Sequence, residues 1–201
     1  MSIHRNMLSR FNIILLATLL ASCSAQPPVP EDNFYQLPTP QITLRAKTIT
    51  DTLSVKRLVS DGLHSERALL FSKAGQALQL KQYHYHHWSD TPPRMLQEHL
   101  ISALRSARIA NTITNYDPTQ DVSHRLTGKI RHFEQIERGN KNQILVELEL
   151  QLNDKSGKLV LLKDYRVTQT ANSASPHDLV DAYGVALNKL VTEFISDWLK
   201  K

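Results

Sequence analysis

The sequence predicts an α+β domain: an antiparallel sheet, run as a meander, with two helices packed on one face. Two observations carry this. Over residues 122–170 apolar and polar side chains alternate, with turn-forming clusters between the runs. A period of two marks strands with one buried and one wet face. On either side of that stretch, apolar residues recur every three or four positions, from Leu96 to Ala107 and from Leu179 to Trp198. That spacing gathers them on one side of a helix. Helices and antiparallel strands in one chain bury their apolar faces against each other.

The elements follow in order. Residues 34–37 read as a short strand ended by Pro38 and Pro40. Residues 53–59 and 68–71 read as further strands, with Asp61-Gly62 as a turn signal between them. Residues 76–85 predict another strand, with Leu78 and Leu80 on one face. Thr91 is placed to cap the first helix, and Pro92 suits its first position, where a missing N–H costs nothing. Leu96, Leu100, Ala103, Leu104 and Ala107 form its buried face.

In the meander, Leu126, Gly128 and Ile130 alternate with Arg125, Thr127 and Lys129. The alternation slips at His132-Phe133, which predicts a bulge. Residues 138–142 make the first turn. Ile144, Val146, Leu148, Leu150 and Leu152 then face one way and Glu147, Glu149 and Gln151 the other. Residues 153–157 turn the chain again, and Leu159, Leu161, Tyr165 and Val167 mark the third strand. Ser175, Pro176 and Asp178 open the last helix in the manner of a capping box, with an acid at its positive end. Leu179, Tyr183, Leu187, Leu190, Val191, Phe194 and Trp198 form its apolar stripe, and Lys200-Lys201 suit its negative end.

The first ten residues hold Arg5 and Arg10 and no acid, and residues 11–20 are almost wholly apolar. This is the layout of an export signal. A run of that length is too short to span a bilayer, which takes about 20 residues. The following Leu20-Ala21-Ser22-Cys23 resembles the bacterial lipobox, in which the thiol accepts a diacylglyceryl group and cleavage leaves the cysteine first. Cys23 is the only cysteine, so an internal disulfide is excluded and lipidation explains the odd thiol. The resemblance implies further acylation, typically by palmitate. One acyl chain holds a protein only marginally, whereas two or three hold it firmly. The expected organisation is a signal peptide over residues 1–22, a lipidated Cys23 with a proline-rich tether over residues 23–33, and a domain over residues 34–201.

By the sorting rule of such lipoproteins, Ser24 in place of an aspartate implies the outer membrane, facing the periplasm. Residues 24–33 hold three prolines. At about 3.1 Å per residue an extended tether of this length reaches roughly 30 Å. Loss of Arg5 and Arg10 with the signal lowers the net charge from +5 to +3. Acids and bases are interspersed, which speaks against the basic stripe that nucleic acid requires.

The densest cluster of chemical side chains is Tyr83-His84-Tyr85-His86-His87-Trp88. On a strand, His84 and His86 share a face and could begin a zinc site, but no HExxH or CxxC pattern supplies further ligands. Tyr83, Tyr85 and Trp88 read either as a partner surface or as core. Ser60, Asp61, His64 and Glu66 carry the residue types of a hydrolase triad, without the G-x-S-x-G elbow that would assemble one. No P-loop or dinucleotide fingerprint is present. The expectation is a protein that is not an enzyme and needs no cofactor or metal.

Taken with these features, Asn33-Phe34-Tyr35-Gln36-Leu37-Pro38 just past a lipidated tether resembles the start of the ABC-type transport auxiliary lipoproteins, the PqiC-like or YmbA-like group. Trp88-Ser89-Asp90-Thr91-Pro92-Pro93 ahead of Leu96 and Leu100 matches as well, as does the strand pattern from Leu126 to Phe133 with a meander and a closing helix near Trp198. The resemblance covers roughly residues 33–198; the Tyr/His-rich run before Trp88 departs from the general pattern. It implies an outer-membrane lipoprotein that docks an MCE-domain protein anchored in the inner membrane and supports lipid transport and membrane integrity. A ring or other homo-oligomer would suit a symmetric partner. It carries over no catalytic residues, which leaves Cys23, the lipid attachment site, as the one assigned residue. Two other classes stay open on the residues alone: an envelope hydrolase, and a structural lipoprotein of another envelope assembly.

Overall fold

The most regular alternation in the sequence builds the longest strands. In the computed structural model, which describes residues 29–43, 48–76, 78–139 and 141–201, β7 (His124–Arg138) pairs antiparallel with β8 (Lys141–Asp154). β8 pairs antiparallel in turn with β9 (Leu159–Thr170). Cys23, Ser24 and the signal segment lie outside the described residues. Residues 32–201 make one compact unit, to which the following refers.

Ile144, Val146, Leu148, Leu150 and Leu152 are each 0% exposed, whereas Glu147, Glu149 and Gln151 on the opposite face are half-buried. The meander is therefore as expected. So is the bulge: the β7–β8 register shifts between Ile130 and His132. Gly128 lets the two backbones close up, since a Cβ there would sit 2.7 Å from the Glu149 carbonyl oxygen. Leu159 departs from the expected pattern: it opens β9 half-exposed, before the alternation takes hold.

The rest of the sheet corrects the expectation of purely antiparallel pairing. Three short strands lie one after another along the edge of β7 that β8 leaves free. They are β2 (Thr50–Val55), β3 (Val59–Ser60) and β4 (Ala68–Lys73), and all run parallel to β7. β5 (Lys81–Trp88) returns antiparallel to β4 and takes β1 (Asn33–Tyr35) parallel on its far side. β6 (Ala110–Asn115), which its composition does not mark as a strand, pairs parallel with β2. Among the described residues the product is a mixed nine-stranded sheet, curled as a half-barrel. The short strands follow one another along β7 without reversing, so they share its direction. Alternation reports burial and carries no information on strand direction.

The strand expected at residues 76–85 starts later. Consecutive turns, with Gln76 N–H bonded to the Lys73 carbonyl and Gln79 N–H to that of Gln76, occupy the chain before it. Leu78 is consequently fully exposed and Leu80 half-buried outside the ladder.

Two helices cover one face. α1 (Pro92–Ala107) packs on β2 and β6, α2 (Pro176–Trp198) packs on β8 and β9, and the helices touch each other. Every residue expected on their apolar faces is buried. Half of the capping box of α2 is present: Ser175 Oγ accepts the Asp178 N–H at 3.2 Å, but the Ser175 N–H donates to Ser173 Oγ at 3.0 Å and not to Asp178. Thr91 holds the cap position of α1 but its side chain makes no capping bond. The Asp90 carboxylate instead accepts the Thr91 N–H at 2.7 Å. The core centres on Trp88, Phe133 and Tyr183, whose ring centroids lie 4.5–5.3 Å apart.

Candidate functional site

β5 carries the aromatic and histidine run to the rim of the sheet and splits it. Trp88 is 1% exposed and packs on Phe133 and Tyr183, so it is a core residue and offers no surface to a partner. Tyr83 is half-buried; its hydroxyl donates to Gln135 Oε1 at 2.7 Å and its ring lies 4.8 Å from that of Phe71. Tyr85 is 45% exposed and is the one member of the expected trio that stands open to solvent. The histidines disperse. His86 Nδ1 lies 2.9 Å from the Tyr35 hydroxyl, and His87 Nε2 lies 3.3 Å from Asp32 Oδ1. Among the described residues, the one group with three close ligand atoms is His177, Asp178 and Asp181, at the exposed start of α2.

The residues with hydrolase chemistry are likewise separated. Ser60 Oγ is buried without a hydrogen-bond partner, Asp61 is ion-paired with Lys129, and Glu66 is exposed. His64 turns its Nε2 to Glu134 Oε2 at 3.1 Å. Glu134 is the feature that sequence reasoning missed. Its carboxylate, 5% exposed, also takes His132 Nδ1 at 2.6 Å and the Phe133 N–H at 2.6 Å. The short 3₁₀ turn Gly62–Ser65 brings His64 over it. Burial pushes the Glu134 carboxyl upward, but the hydrogen bonds from His64 and His132 outweigh that and hold it below its ordinary value. Both glutamate oxygens are thus engaged in holding the 3₁₀ turn and the bulge together. The only sign of it in the sequence is the acid at the slipped alternation.

Among the described residues, Ser54 Oγ and one histidine nitrogen are also buried without partners. His99 on α1 is 5% exposed, and its Nε2 has no hydrogen-bond partner among the described residues. Burial lowers its imidazole from 6.5 to about 4, so it is neutral at physiological pH. It borders a cavity of about 290 Å³ between α1 and the segment Gln36 to Pro40. That segment is fixed by Pro38, which lies against Gly184 of α2.

These arrangements define a class: a mixed sheet backed by two helices, in which the histidines of the rim run and the residues of hydrolase type are dispersed and not gathered into one site. The fold is similar to that of a Xanthomonas campestris protein, with a TM-score of 0.67 at 16% identity over 81% of this chain and 92% of that one. A second solved protein, described as uncharacterised, gives 0.65 at 14% identity over 83% and 98%. A hypothetical protein of Chlamydia trachomatis gives 0.50 at 10% identity over 74% and 95%. No curated protein matches the chain. The model of the ABC-type transport auxiliary lipoprotein component family matches residues 35–194, and the chain belongs to that family. It is thus an auxiliary lipoprotein of ABC-type transport. Among the described residues no helix is long and apolar enough to cross a membrane.

Proposed function

We propose that this lipoprotein is acylated on Cys23, sits on the periplasmic face of the outer membrane, and docks an MCE-domain protein of an inner-membrane ABC transport complex. In that position it would support lipid movement between the membranes and so the integrity of the envelope. The observation that carries the reading is the family match over residues 35–194, placed directly behind a lipobox-like Leu20-Ala21-Ser22-Cys23. The proline-rich residues 24–33 give the anchored domain its reach, and Ser24 directs it outward. Tyr85 is the exposed aromatic of the rim run, and a partner gripping that rim would bury it. More than one copy would match the symmetry of such an assembly.

The test is capture. The tagged, lipidated protein, extracted in mild detergent, is expected to retain an MCE-domain protein, and Tyr85→Ala is expected to weaken that retention. Repeated failure to capture any MCE-domain protein would refute the docking role.

A further inference from the structure

We propose that the outer edge of β6 is a docking site for an acidic, extended segment of another protein, which adds to the sheet as one more strand. β6 ends the strand path β1-β5-β4-β7-β2-β6 and, among the described residues, has a partner strand only in β2. None of its six residues is charged. The Tyr116 N–H bonds the Val55 carbonyl at 3.0 Å. In a parallel ladder each residue turns its N–H and C=O to the same side, and successive residues turn to opposite sides. Thr112, Thr114 and Tyr116 therefore face β2, whereas Ile113 and Asn115 turn their backbone groups outward. Arg105 agrees with this: it reaches over from α1, and its Nε donates to the Ile113 carbonyl at 3.1 Å. A guanidinium on that carbonyl marks it as a group that no strand satisfies.

The flanks of this edge say which strand fits. A cavity of about 430 Å³ runs along Ala110 to Thr114, with Arg105 and Arg108 in its wall. A second, of about 620 Å³, lies at the other end of β6 and is lined in part by Lys56, Arg57, Arg94, Asn115 and Tyr116. Glu98 is the one acid lining either cavity among the described residues. Arg94 is ion-paired with Asp90. Lys56, Arg57, Arg105 and Arg108 have no acid partner among the described residues, and Lys56 stands instead over the Tyr116 ring at 5.5 Å. Cations beside an edge guard it against a second copy of the same strand, because like charges then meet. The same cations select a different strand: one with carboxylates at both ends and uncharged residues between them meets opposite charge at each end of β6. Main-chain bonds then supply the affinity and the flanking side chains the specificity. The chain enters the domain at β1, the opposite end of the strand path. That placement favours a protein segment over the headgroups of the anchoring membrane. It also sets the edge apart from Tyr85 on β5, so one partner can be held without covering the other surface.

The probe is a fluorescent peptide, acetyl-Asp-Glu-Thr-Val-Thr-Val-Glu-Asp-amide, titrated against the full lipidated chain in mild detergent micelles. It should bind at least about tenfold more tightly than its Asn/Gln counterpart. Arg57→Glu with Arg108→Glu should weaken it by at least about tenfold. Lys141→Glu with Lys155→Glu, the same change in net charge at the two turns of the meander, should leave it within about twofold. Circular dichroism checks that both variants are folded. Amide hydrogen exchange is the deciding readout: the peptide should slow exchange at Ile113 and Asn115. A counterpart N-methylated at its four central residues should neither bind nor protect. Binding that survives N-methylation, or that leaves those two amides unprotected, would overturn strand addition. So would equal loss in the two charge-reversed variants, or no binding at about 1 mM peptide. Protection of the two amides by phosphatidylglycerol in the micelles would give the patch to a lipid surface instead. Protection that rises with the concentration of the chain alone would give it to a second copy. The titration needs no transport partner, so it and the capture experiment fail independently.

Discussion

At the scale of single residues, two buried polar groups set how the fold responds to acid. His99 is held to about 4 against 6.5 when free, so the unfolded chain binds the proton that the folded one refuses. Its contribution to stability is complete above 6.5 and is lost as the pH falls toward 4, by at most about 3 kcal/mol. His99→Leu removes both the proton acceptor and the unpartnered nitrogen. Urea unfolding should find that variant no less stable than wild type at pH 7 and clearly more stable at pH 5. Glu134 acts in a lower window. Its folded value lies below the ordinary 4.5, so its stabilisation is present above 4.5 and disappears as the pH drops through the depressed value. Glu134→Gln keeps the shape and loses the charge, and should cost about 1–3 kcal/mol at neutral pH. The difference between wild type and that variant should shrink below pH 4.5 in the same unfolding assay. Neither residue is legible as important from sequence alone. An imidazole on a helix and an acid on a strand are ordinary surface residues until other segments cover them.

At the scale of elements, closeness of the long hairpin is the controlling quantity. Gly128 allows β7 to approach β8 so nearly that a methyl group would meet backbone at 2.7 Å and the Leu150 Cδ2 at 2.9 Å. The carbonyl cannot swing away without breaking the ladder. Gly128→Ala should therefore destabilise by roughly 1–3 kcal/mol. In a chain of this size that lowers Tm by about 2–4 °C per kcal/mol, read by calorimetry. Ser175→Ala removes the cap bond of α2 and should cost about 1 kcal/mol. The meander, its bulge and both helices were readable because each is specified by local periodicity and local capping. β6 was not, because Ala110 and Ile113 are its only apolar residues and its place in the sheet comes from packing under α1.

At the scale of the whole molecule, the proposed function depends on a lipid anchor at Cys23. Metabolic labelling with palmitate should mark the wild-type protein and leave Cys23→Ser unlabelled. The variant should also leave the membrane fraction. Label retained by Cys23→Ser would remove the lipid anchor on that residue from the proposed function. Trp88 shows why the aromatic run resisted interpretation at this scale. Its identity suits an interface hot spot or a core equally well, and only the arrival of Phe133 and Tyr183 from distant parts of the chain makes it core.

By itself the sequence determined what depends on neighbours a few residues away. The strand period, the helical stripes, the bulge at His132, the Ser175 cap and the Leu-Ala-Ser-Cys pattern are all local, and burial or capping chemistry writes them directly into residue order. The tertiary structure alone decided the direction in which β2, β3 and β4 line β7, the core position of Trp88, and the bridging of His64 to His132 through Glu134. It also decided which edge of the sheet stays open. Each of these brings together residues far apart in the chain. One residue's periodicity records whether it is buried but not by what, so no reading of local pattern could have supplied them.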